Sequence, residues 1–182
     1  MNVFELRILD FIQEHLKCGF LDWFMPTITL LGEDGIFWIA VAAVLLITKK
    51  YRKVGAMMGV ALLLGFLVGN MTLKPLIGRV RPYDMPGVDI DLLVENLGDK
   101  SFPSGHTLAC FEAAIVLMIN DKRLGIPALI SAILVGFSRL YLYVHYPTDV
   151  LAGAIIGAAF AVLACYIVNR VIAAYNNKKI CK

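Results

Sequence analysis

Lys74-Pro-Leu-Ile-Gly-Arg-Val-Arg81-Pro82, Pro103-Ser-Gly-His106 and Ser138-Arg139-Leu-Tyr-Leu-Tyr-Val-His145-Tyr-Pro-Thr-Asp149 are three short polar motifs set among runs that are otherwise apolar. Together they supply three permanent cations (Lys74, Arg81, Arg139), a Ser-Gly turn, two histidines (His106, His145) and a carboxylate, Asp149, four residues beyond His145. A guanidinium offers a planar fork for two phosphate oxygens, and an ammonium offers a compact point charge. That combination suits a phosphate monoester or anhydride far better than a carbonyl or a metal.

Outward from these motifs the chain reads as membrane helix. Apolar residues make up 59% of its 182 residues and charged ones only 17%, with a mean hydropathy of +0.76. A soluble domain of this length could not hide so much apolar surface. The fold expected is all-α: a polytopic membrane helix bundle of about five spans, at about 34–49, 53–74, 104–120, 124–144 and 147–170. Residues 1–33 are expected as an interfacial segment, 34–170 as the transmembrane core and 171–182 as a basic cytoplasmic tail, forming one domain.

Within the N-terminal segment, Phe4, Ile8, Phe11 and Ile12 recur at helical spacing among charged residues, predicting an amphipathic helix over 2–17 that lies on the bilayer. Residues 20–31 are apolar but short of the ~20 residues that a bilayer needs. Gly32-Glu-Asp-Gly35 then makes a polar turn. Gly55/Gly59, Gly65/Gly69 and Gly153/Gly157 have the spacing that lets membrane helices approach closely, or reflect plain glycine abundance.

Charge sets the expected orientation. The Lys49–Lys53 and Asp121–Arg123 turns and the segment after Asn169 hold ten Lys and Arg and a single acid, Asp121. The positive-inside rule makes that side cytoplasmic, with the C-terminus, and turns all three motifs outward. The formal charge of +3 gives no ground for a nucleic-acid partner. The cysteines at 18, 110, 165 and 181 have neither metal-ligand nor disulfide spacing, and the N-terminus has no signal-peptide pattern. No metal or other cofactor is expected.

Residue chemistry narrows the roles. Ser104 is a good N-cap and Gly105 leaves backbone open, so a helix starting there would aim free N–H groups at an anion. Arg139 lies late in a membrane helix, where a charge faces a polar interior, as a ligand or in an ion pair with Glu112. Asp149 can fix the tautomer of His145, complement the dipole of its own helix, or do both. Arg79 and His15 are expected to be solvated.

In order and spacing, the three motifs resemble the type 2 phosphatidic acid phosphatase family of membrane lipid phosphatases, every signature position being filled. The resemblance implies a hydrolase of lipid phosphates. His145 would be the nucleophile that forms a phosphohistidine, with Asp149 orienting it and His106 serving as acid and then base. Lys74, Arg81, Ser104, Gly105 and Arg139 would hold the phosphate. It further implies action on a lipid phosphate in the plasma membrane, with undecaprenyl diphosphate the leading substrate. Phosphatidylglycerophosphate or phosphatidic acid is the alternative. A small lipid or ion transporter is a rival from another class, which would explain the intramembrane charges but not the two histidines.

Overall fold

The structure, a computed structural model, describes residues 3–180, with side chains through residue 177. Helix is the only regular element among the described residues: α1 (Val3–Leu16), α2 (Gly19–Thr29), α3 (Ile36–Ile47), α4 (Arg52–Leu64), α5 (Lys74–Ile77), α6 (Gly105–Asn120), α7 (Lys122–Tyr141) and α8 (Pro147–Ile180). By length and composition Gly19–Ile47, Arg52–Asp84, Lys122–Tyr141 and Pro147–Asn177 can each cross a membrane, and Gly105–Asn120 is a shorter apolar helix. The chain is therefore a multi-pass membrane protein. The stretch read as a separate short segment at 20–31 runs on towards α3 through a 3-10 turn. That turn breaks at Glu33 and Asp34, whose φ is +46°.

The short helix α6 is the axis of the bundle. Its 16 residues are only about 24 Å long, yet it is wrapped by α4, α7 and α8. Ala109, Cys110, Ala113 and Ala114 are all buried and small enough for neighbours to come close on every side. From α8, a Cβ at Gly153 would lie 2.7 Å from the Ser104 carbonyl oxygen, and one at Gly157 would lie 2.6 Å from that of Leu108. This pair makes the close contact that the spacing suggested. In the Gly55/Gly59 pair only Gly55 does so, against α3, and Gly59 faces open space. Leu151, Ile155 and Val162 remain exposed on α8, and Ile133 on α7, as a lipid-facing flank requires.

At one end of the bundle Tyr51 donates to Asp121 at 3.0 Å, so the two basic turns lie side by side. At the other end, α1, α2 and the loop from Met85 to Pro103 form a cap. Leu9 packs with Tyr143 and Tyr146, and Ile12 and Met25 pack with Tyr141, Leu142 and Val144. The helix α1 is thus more than a bilayer anchor. It docks on protein through Glu5, Leu9 and Ile12 while Phe4 and Phe11 stay exposed. The last helix also continues beyond residue 170, where a tail was expected, through Ile180.

Candidate active site

Four chain segments deliver the polar motifs to the capped end. The helix α4 widens into a π-helical stretch, Gly65–Leu73, within which Thr72 Oγ1 donates back to the Leu67 carbonyl at 2.8 Å. Such widened turns cluster at functional sites. Lys74 follows directly. Pro75 sits in the first turn of α5, and Gly78, at φ +61°, ends that helix with its N–H on the Lys74 carbonyl. The left-handed cap turns the chain sharply towards Arg79 and Arg81. Ser104 caps α6 through its hydroxyl, which accepts from the Thr107 N–H. His145 lies in the turn between α7 and α8, and Asp149 in the first turn of α8.

Arg81 is buried and organises the centre. It donates to the Val144 carbonyl at 2.7 Å and to His145 Nε2 at 3.2 Å, and its Nε meets the Asp99 carbonyl at 2.9 Å. Its other nitrogen, Nη2, holds Asp99 Oδ1 at 2.5 Å, while Lys74 pairs with Asp99 Oδ2. One carboxylate from the acidic loop therefore places an oxygen on each cation. Burial pushes the Asp99 carboxyl up, but the hydrogen bonds from Lys74 and Arg81 outweigh it and hold its pKa down at about 2. The arrangement is an anion cradle with an anion of the protein's own in it.

His145 is 1% exposed. Accepting from Arg81 at Nε2 places its ring proton on Nδ1, the side of Asp149. Burial, the largest effect, and then the positive charges of Arg81 and Arg139 lower its pKa to about 3 against the pull of Asp149, so the ring is neutral at physiological pH. The Asp149 carboxylate is 3.6 Å from Nδ1. Ser101 donates to Asp149 Oδ2 at 2.5 Å and lies 3.5 Å from the same Nδ1, and the Tyr146 N–H also reaches Oδ2, at 2.9 Å. The second oxygen, Oδ1, takes Arg79 at 2.5 Å.

The expectation that Arg79 is solvated is corrected by these contacts. Arg79 also pairs with Glu5 at 2.5 Å, donates to Thr148 at 2.7 Å and lies 3.9 Å over the Tyr146 ring. An ion pair between Arg139 and Glu112 is not made: Arg139 donates to Thr29 at 2.6 Å, while the Glu112 carboxylate packs where a side chain on Gly65 would stand. The 3-10 turn brings Glu33 within 3.1 Å of His106 Nε2.

A cavity of about 710 Å³ joins these groups, lined by Lys74, Arg81, Asp99, Gly105, His106 and His145 at its polar end. It continues past Leu108 to Glu112, between Ile39 of α3 and Phe66 of the π-helical stretch. Ser104, Arg139 and Asp149 do not line it. Ser104 and Asp149 are fully buried behind it, and Arg139 is 2% exposed. Residue-by-residue reading missed Asp99, Ser101, Glu5 and Glu33. All four lie outside the three motifs, and only folding sets them against motif residues.

A sequence model described as the PAP2 superfamily matches residues 50–173. The chain belongs to the PAP2 superfamily. An undecaprenyl-diphosphatase of Sulfolobus acidocaldarius is 34% identical over 148 residues, covering 81% of this chain and 70% of that one. The crystal structure of Aquifex aeolicus LpxE superposes with a TM-score of 0.78 at 29% identity, covering 88% of this chain and 94% of that one. A PAP2-type phosphatidylglycerolphosphate phosphatase from Bacillus subtilis gives 0.75 at 28% identity, with 94% and 89% covered. Like its relatives, this PAP2 protein is a membrane hydrolase of lipid phosphates, and its all-helical fold is that of the solved PAP2 phosphatases.

Proposed function

We propose that this PAP2 phosphatase hydrolyses undecaprenyl diphosphate to undecaprenyl phosphate and inorganic phosphate at the outer face of the plasma membrane, through a phosphohistidine and without a metal. The observation that carries the reading is the Asp99 carboxylate between Lys74 and Arg81, beside His145 Nε2. A phosphoryl group displacing that carboxylate meets two fixed cations and a neutral imidazole together.

In the first step the Nε2 lone pair attacks phosphorus, forming a P–N bond as the bond to the lipid phosphate oxygen breaks. His106, in its protonated form, gives the leaving oxygen its proton. Lys74, Arg81 and the Gly105 N–H hold the equatorial oxygens where charge accumulates. Arg139, behind the cavity, adds positive field, and Ser104 fixes the helix start. In the second step water attacks phosphorus, gives its proton to His106, and the P–N bond breaks. Asp149 holds Nδ1–H throughout and stabilises the charge on the ring.

The test is release of inorganic phosphate by protein purified in detergent with EDTA, from undecaprenyl diphosphate, phosphatidylglycerophosphate and phosphatidate at equal surface concentration. The diphosphate is expected to be turned over fastest and vanadate to inhibit. His145→Ala should abolish turnover in a folded protein. Phosphate release persisting in that variant would remove His145 as nucleophile, and faster turnover of phosphatidylglycerophosphate would replace the substrate.

A further inference from the structure

Glu5 is 3% exposed, although it sits in a helix whose other acids reach solvent or a tyrosine hydroxyl. Its Oε2 pairs with Arg79 Nη2 at 2.5 Å. Its Oε1 accepts from the Thr148 N–H at 3.0 Å and from the Thr148 hydroxyl at 2.6 Å. Arg79 uses its other terminal nitrogen for Thr148 and for Asp149 Oδ1, and lies over the ring of Tyr146, the residue next to His145. An acid on α1 and the acid beside the reacting histidine thus share one guanidinium.

The division of labour on Asp149 gives this chain of contacts its meaning. Oδ2 faces Ser101, the Tyr146 N–H and His145, so the free direction of the carboxylate is set from Oδ1, where Arg79 sits. A guanidinium held by a single carboxylate could draw Asp149 away from the ring. Held between two, and lying over the Tyr146 ring, it fixes both the carboxylate and the turn that carries His145.

We infer that Glu5 is a positioning residue: through Arg79 it holds Asp149, and with it His145, in line for attack, which makes α1 part of the reaction centre. The inference rests on His145 being the nucleophile proposed above. The rival is a simple tether, in which Glu5 and Arg79 only fasten α1 to the bundle.

Vanadate and inorganic phosphate separate the two in the full-length protein in detergent. Vanadate inhibits best when an aligned histidine completes its trigonal-bipyramidal shape, whereas inorganic phosphate needs only the cations. Glu5→Gln should lower kcat and weaken vanadate inhibition by roughly tenfold or more, with KM and phosphate inhibition held within about twofold. Arg79→Lys, which keeps the charge but not the fork, should show the same split, and Glu5→Asp should recover part of the loss. Glu14→Gln, on the exposed side of α1, should match the parent. Parental kcat in either folded variant, or equal losses of vanadate and phosphate inhibition, would overturn the inference. Turnover surviving in His145→Ala would instead remove the reading beneath it, so the two failures are distinguishable.

Discussion

A histidine kept neutral and a carboxylate kept charged underlie the proposed chemistry at the residue scale. His145 has a folded pKa of about 3 against 6.5 for a free ring. Between those values the unfolded chain binds a proton that the folded site refuses. Stability attached to this group is therefore full above pH 6.5 and declines as pH falls towards about 3. Thermal melts in detergent from pH 7 down to about 4 should show that decline, and His145→Ala should flatten it. An unchanged slope would mean that the ring is not held neutral. Asp99 acts as the resident anion of the cradle, so Asp99→Asn should tighten inhibition by inorganic phosphate, by roughly three- to tenfold given that Asp99 is half-exposed. Weaker phosphate inhibition would show that Asp99 orders the cations rather than competing for them. Neither effect is visible in the motif strings, because Asp99 belongs to the acidic loop and the His145 shift comes from burial.

Among elements, the contact of α8 with α6 ties the bundle to the site. It is close enough for the Ser104 N–H to donate to the Asp149 carbonyl at 3.1 Å. Gly157→Ala would push a methyl group against the Leu108 carbonyl, 2.6 Å away, and part the two helices. The expected cost is about 1–3 kcal/mol with loss of turnover. Gly59→Ala, with open space before it, should instead gain about 0.5–1 kcal/mol. Melting temperatures of the two variants in one detergent read the contrast, and equal shifts would contradict the packing. The sequence showed three glycine pairs of equal standing. Which pair is buried against backbone depends on how each helix is rotated, and that is a property of neighbouring helices rather than of spacing.

For the whole molecule, the bundle separates a basic end from the end that holds the polar motifs, and the proposed orientation makes that motif-bearing end extracytoplasmic. Cys18 is exposed, with its N–H on the Tyr141 hydroxyl at the capped end, whereas Cys110 and Cys165 are buried. In a Cys181→Ser background, a membrane-impermeant maleimide should label Cys18 in intact cells. Labelling that requires permeabilised cells would reverse the orientation.

Sequence alone determined the helical membrane class, the family and the motif residues that meet at one end. Hydropathy and local spacing carry that information directly. Only the tertiary structure decided that Asp99 sits in the cradle, that Ser101 stands beside His145 and Asp149, and that Glu5 reaches Arg79 from a helix at the far end of the chain. Those are encounters between groups up to 74 residues apart, made where buried charges must find partners once water is excluded.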